Sequence, residues 1–211
     1  MMNSARNPRV VVTVLGAVKA GLGELDLLPG EHVCVFYRGK RGRDEILYPY
    51  LRAGLQVGQK CICVLDSASA AEQVSQLAGE GVRDGQLDVH LSDTSYLSGG
   101  SFGRRRMLSF WDENLLKATE HGYQSYRLAG EMTWALRDVP GVEDLVYYEA
   151  ELNERSSGYR PAILCLYDLD RFSGEVVVEV VKTHPKVLIG GMVVENPYYV
   201  GPEEFLRQTR S

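Results

Sequence analysis

The residues that could do chemistry in this sequence sit where apolar runs stop. Tyr37 and Arg38 follow "HVCVF", Asp66 closes "KCICVLD", Glu131 closes "SYRLAGE" and Asp168 closes "PAILCLYD". The carboxyl end of a buried strand is where open α/β sheets place their ligand contacts. Three carboxylates gathered at one sheet edge repel each other unless something offsets them. The offset could be a divalent cation, a cationic or hydrogen-bond-donating ligand, or the arginines Arg38, Arg43, Arg127 and Arg171. The competing reading is that each acid caps the next helix or pairs with an arginine.

The loop after the first run, Arg38-Gly39-Lys40-Arg41-Gly42-Arg43-Asp44, stands where a phosphate-binding loop would stand. Such a loop needs G-x-x-x-x-G-K-[ST]: glycines that let amides close on phosphate, a lysine for the outer phosphates, and a hydroxyl for Mg²⁺. Here Gly39 and Gly42 are followed by Arg43-Asp44, so the lysine–hydroxyl pair is missing and an acid takes its place. Phosphoryl transfer by the standard loop is not expected; loose phosphate binding by amides and basic side chains stays open. Further along, "GEMTWALRDVPG" brings Trp134 next to Glu131, either as core filler or as an apolar pocket wall with one N–H donor. "LYDLDRF" repeats that theme with Tyr167, Asp168, Arg171 and Phe172. His184 in "THP" reads as a capping or core residue and is carried as a candidate contact. His32, His90 and His121 show no metal-ligand spacing with His184 or with Cys34, Cys61, Cys63 and Cys165, so no metal is expected. Hydrolase signatures such as G-x-S-x-G are missing too.

The elements that must hold these residues alternate. Strands are expected at 32–37, 60–66, 87–91, 125–131 and 161–168, and 186–194 reads as either one late strand or two, the latter a hairpin around Gly190-Gly191. Helices are expected from about Glu45 to Leu55, over 67–78, through Met107–Ala118, through Leu145–Leu152 and, capped by Ser173, to Lys182. Starting the first helix near Glu45 keeps Pro49 about one turn from its beginning, where proline is tolerated. The alternation predicts a three-layer α/β fold, a mostly parallel sheet with helices on both faces. Residues 1–24 read as an N-terminal arm and 25–211 as one domain. The chain has 211 residues, 45% hydrophobic and 24% charged, which suits such a domain. Its net charge of −5 argues against nucleic-acid or anionic-membrane binding. Each cysteine lies in an apolar run, which fits a reducing cytoplasm.

One ordered set of motifs is more specific. "HVCVFY", the Tyr50–Cys61 segment, "DTSYLSGGSF", "GEMTWAL", "YEAELN", "CLYDLDRF", "THP" and "NPYYVGPEEFL" together resemble the MEDS family, the methanogen/methylotroph, dichloromethane-regulator sensory domain, from about Gly30 to Leu206. The resemblance implies a RecA/KaiC-like fold that has lost its phosphate loop and senses a small organic molecule, including hydrocarbon derivatives. It also implies coupling to a helix-turn-helix domain, a histidine kinase or an anti-sigma-type regulator. The short N-terminal arm leaves no room for such a domain, so output is expected through a separate partner, or the chain is a stand-alone binding protein. On this reading the ligand pocket lies at the strand ends, walled by Tyr37, Trp134 and Tyr167. Arg38, Asp66, Glu131, Asp168, Arg171 and His184 complete the candidate contacts, without catalysis. Two alternatives stand beside it: a divergent Mg²⁺-dependent ATPase using Asp168 and Glu131, and a ligand-free interaction scaffold. Self-association is compatible with all three.

Overall fold

The structure is a computed structural model, described here for residues 27, 29–77, 79, 82–155 and 160–208. The arm expected at 1–24 lies outside the described residues. Among the described residues seven strands form one sheet: β1 (His32–Tyr37), β2 (Lys60–Leu65), β3 (Leu87–Leu91), β4 (Tyr126–Glu131), β5 (Ala162–Asp168), β6 (Lys186–Ile189) and β7 (Met192–Glu195). Their order is β3-β2-β4-β5-β1-β6-β7, and every pairing is parallel except β6 with β7. β1, β2, β4 and β5 are buried along their whole length, as continuous apolar runs require when both faces are covered. The β6–β7 hairpin turns on Gly190 and Gly191 at φ +58 and +78, the paired positive values of a tight hairpin turn that glycine adopts without strain.

Two layers of helix cover the sheet. On one face lie α1 (Gly39–Gln56) and α2 (Ala68–Ser75), packing Leu47, Tyr50, Leu51 and Val74 against Val33, Val35, Cys63 and Leu164. On the other lie α3 (Arg104–Glu120), α4 (Leu145–Arg155) and α5 (Gly174–Lys182), packing Trp111, Leu115, Tyr148 and Val180 against Cys34, Ile62, Leu128 and Ile163. A last helix, α6 (Pro202–Gln208), lies on α4 with Phe205 buried near Tyr147. Each fully buried leucine of these layers contributes about 1.5–3 kcal/mol.

Two boundaries differ from the sequence expectation. α1 begins at Gly39, so Pro49 falls in the helix interior, where the missing N–H costs about 3 kcal/mol. The early start follows from a tertiary contact: the Asp168 carboxylate accepts the Gly39 N–H at 3.1 Å and holds the first turn. α2 spans Ala68–Ser75, shorter than expected, because only Ala70 and Val74 are buried to anchor it. Its start is as expected, with the Ser67 hydroxyl accepting the Ala70 N–H at 3.2 Å. Ser173 caps α5 in the same way, accepting from Val176.

Candidate functional site

Strand periodicity decides which strand-end residues meet. Alternate residues of a strand face opposite sides of the sheet. Tyr37, Glu131 and Asp168 continue the rows Val33-Val35, Ala129 and Leu164-Leu166, so all three face α1 and α2. Tyr37 and Asp168 are register partners across β1 and β5. Together with Asp66, just past β2, they surround a cleft of about 230 Å³ across the carboxyl ends of β2, β4, β5 and β1. Lys40 and Arg43 of α1 and Ser67, Ser69, Thr133 and Arg171 complete its lining.

Each of the three acids has its charge offset within the chain. Glu131 accepts from the Tyr37 hydroxyl at 3.3 Å, from Arg43 Nη1 at 3.2 Å and from the Asp66 amide at 2.9 Å. Burial alone would lower the Arg43 pKa, but Glu131 and Asp44 more than offset it and raise it. Burial, with the Glu131 and Asp168 carboxylates behind it, drives the Tyr37 phenol well above its ordinary range, so it stays a neutral hydroxyl. Asp66 accepts from Thr133 at 2.8 Å and Arg137 at 2.6 Å, and Arg137 also bridges to Asp93. Asp168 accepts two amides, Gly39 and Asp170, each at 3.1 Å. The positive end of α1, where an anion would dock, is thus occupied by the chain's own carboxylate.

The remaining predicted residues lie elsewhere. Arg38 is exposed and ion-paired with Asp170. Trp134 does not wall the cleft, and this corrects the sequence expectation. The short 3-10 turn Met132–Leu136 folds it beneath the sheet on the α3–α4 side. There it stacks on Tyr96 at 4.7 Å and meets Phe102 at 4.4 Å. Tyr167 is corrected likewise: one residue before Asp168, it points to the opposite face. It donates to Glu149 Oε1 at 2.5 Å beneath α4. His184, after α5, joins the same buried group, its ring 4.1 Å from that of His32 and its Nε2 3.4 Å from Glu149 Oε2. Tyr37, Asp66, Glu131, Asp168 and Arg171 are therefore brought together at the cleft, and Trp134, Tyr167 and His184 are not.

Arg43 offsets Glu131 as the sequence reading allowed, while Lys40, Thr133 and Arg137 were not among the expected site residues. The position of Arg43 supports that role: it lies in step with Leu47, Leu51 and Leu55 on the buried stripe of α1, where a charge needs a buried partner. Thr133 and Arg137 meet Asp66 only through the turn after β4, which no spacing rule reveals.

The sequence profile described as "MEDS: MEthanogen/methylotroph, DcmR Sensory domain" matches residues 31–185. The transcriptional repressor DcmR of Methylorubrum extorquens is 29% identical over 179 residues, covering 82% of this chain. The match takes in 64% of the repressor, so the chain spans under two thirds of that relative. Among solved structures, a KaiC-like protein from Pyrococcus horikoshii OT3 superposes with a TM-score of 0.54 at 14% identity, over 82% of this chain and 79% of that one. A type III secretion system ATPase of pathogenic bacteria gives 0.51 at 13%, over 96% and 70%. At such identities the likeness is one of fold: a three-layer, RecA/KaiC-like sheet. No helix among the described residues is long and apolar enough to cross a membrane.

Proposed function

The chain belongs to the MEDS family of sensory domains, and on that footing we propose that it is a non-catalytic regulatory domain that binds a small polar molecule in the strand-end cleft. The observation that carries this reading is the Asp168 carboxylate on the first turn of α1. A nucleotide phosphate would have to displace it and would then lie beside Glu131, which weighs against ATP at this point of the cleft. What the cleft offers instead is the Tyr37 hydroxyl, the Ser67 and Ser69 hydroxyls, and the cations Lys40 and Arg171. At about 230 Å³ it is smaller than the ~300–1,000 Å³ of sites for drug-sized ligands, so a compact solute is favoured. Its polar lining favours alcohols, amides and short functionalised one-carbon compounds over plain hydrocarbons. The similarity to a transcriptional repressor supports a regulatory output. That output would pass to a DNA-binding, kinase or anti-sigma-type partner.

The test is a thermal-shift and calorimetric screen of small alcohols, amides, amines and halogenated one-carbon compounds, alongside Mg²⁺-ATP. A hit whose affinity falls about tenfold in Tyr37→Phe, the loss of roughly one hydrogen bond, supports the cleft. Mg²⁺-dependent ATP binding that weakens in Asp168→Asn would replace this reading with the nucleotide-binding one.

A further inference from the structure

On the opposite face of the sheet, four ligand-type side chains converge in the interior: His32 at the start of β1, Glu149 of α4, Cys165 of β5 and His184 after α5. All are at most 1% exposed, and one ligand atom from each lies within 4.8 Å of every other. The closest approaches are His32 Nε2 to Cys165 Sγ at 3.1 Å, His32 Nε2 to Glu149 Oε2 at 3.3 Å, Cys165 Sγ to Glu149 Oε2 at 3.3 Å and His184 Nε2 to Glu149 Oε2 at 3.4 Å. A tetrahedral ion with bonds of about 2.0–2.3 Å needs ligand–ligand edges of roughly 3.3–3.7 Å.

Hydrogen bonding fixes which ring nitrogens carry protons. His184 Nδ1 lies 2.7 Å from the Val180 carbonyl, which can only accept, so Nδ1 is the protonated nitrogen. Asn153 donates its amide to the carbonyls of Glu149 and Thr183 at 3.1 and 2.7 Å, so its oxygen faces His32 and accepts from Nδ1 at 3.0 Å. Both imidazoles therefore turn Nε2 inward, and His184 Nε2 has no hydrogen-bond partner. The two inward Nε2 atoms and the Glu149 Oε2 oxygen face one another at 3.3 and 3.4 Å, and the Cys165 thiol donates to the same oxygen at 3.3 Å. A buried polar atom left without a partner, as His184 Nε2 is, is costly. Imidazoles that donate Nδ1–H to a carbonyl or amide oxygen while turning Nε2 inward have the outer-sphere arrangement of metal-ligating histidines.

We propose that His32, Glu149, Cys165 and His184 bind one divalent transition-metal ion of zinc's class. Two imidazoles, a carboxylate and a thiolate suit a borderline-soft tetrahedral ion. Four protein ligands close the coordination sphere, so the ion ties α4 and the α5–β6 junction to the sheet rather than activating water. On binding, the Cys165 thiol proton leaves to solvent and sulfur donates its electron pair to the metal. Occupancy therefore rises with pH. Sequence spacing gave no hint, because the four ligands come from four elements and are grouped only by the face each one shares.

The full chain would be expressed with zinc, and separately refolded from denaturant with Co²⁺, because the site is closed in the native state. Elemental analysis is expected to give about one zinc per chain. The cobalt form should show tetrahedral ligand-field bands and a thiolate charge-transfer band, with the latter lost in Cys165→Ser. Asn153→Ala touches no metal but frees the His32 ring, and should weaken metal binding by about 10–100-fold. That variant and the wild-type cobalt spectrum keep the test independent of whether the Cys165 variant folds. A wild-type chain that refolds without taking up zinc or cobalt, and whose melting temperature ignores chelator, would overturn the proposal and leave a proton-sharing network.

Discussion

Glu131 accepts from Tyr37, Arg43 and the Asp66 amide at once, so the cleft's charge balance converges on one side chain. Glu131→Gln keeps the shape but leaves Arg43, only 5% exposed, with Asp44 as its one remaining carboxylate partner at 2.7 Å. Removing one partner of a buried pair costs about 3–5 kcal/mol; glutamine still offers one acceptor oxygen, so a loss of about 2–3 kcal/mol is expected in urea denaturation. Trp134→Ala should cost about 3–5 kcal/mol as a core deletion, yet leave the affinity of a cleft ligand unchanged in calorimetry of the folded fraction. The cleft acids were legible in the sequence because each one closes an apolar run. Tyr167 cannot join Asp168 at the cleft, because adjacent strand residues point to opposite faces, and that much is legible in the sequence. The placement of Trp134 is not, since the 3-10 turn that rotates it carries no local signature.

At the scale of elements, α1 holds two residues whose replacement by alanine should act in opposite directions. Pro49→Ala restores a helical N–H and should raise stability by about 1–2 kcal/mol in thermal and urea unfolding, less than the intrinsic difference of about 3 because proline also restrains the unfolded chain. Gly54→Ala would ordinarily gain up to about 1 kcal/mol in a helix. Here its Cβ would stand 2.6 Å from Arg127 Cδ and 2.8 Å from Cys61 Sγ. Arg127 cannot swing clear: it donates to the Tyr50 carbonyl at 3.0 Å and lies over the Tyr50 ring at 4.9 Å. A loss of about 1–3 kcal/mol is expected instead, as for overpacked cores. The existence of α1 was legible from Leu47, Leu51 and Leu55. Its start at Gly39 was not, because the group that caps it arrives from β5, far along the chain.

At the scale of the molecule, the alternation of apolar runs and helical patterns sufficed for a three-layer α/β fold. The strand order did not follow from it: nothing local says that β1 lies between β5 and β6, since crossover connections set that through tertiary packing. The same two-sided burial governs thiol chemistry. Burial pushes the Cys61 thiol up to about 12, against the pull of Arg127 and Lys60, and raises Cys34 and Cys63 as well. The thiolate is the reactive form, and it is scarce well below the pKa. At pH 8 the native chain should therefore resist iodoacetamide at Cys34, Cys61 and Cys63, while the urea-unfolded chain is alkylated at all three, as read by intact mass. Rapid native labelling of Cys61 would show that the α1 side of the sheet opens.

The Asp168–Gly39 contact also places a negative charge where α1 would otherwise attract one. Because the carboxylate is tethered to the neighbouring strand, it meets the helix terminus at a high effective concentration, and a dissolved anion must outcompete it. A neutral or cationic solute faces no such rival. On the proposed reading this contact disfavours an anion at the end of α1, although Lys40 and Arg171 line the same cleft, and Asp168→Asn should ease anion entry there.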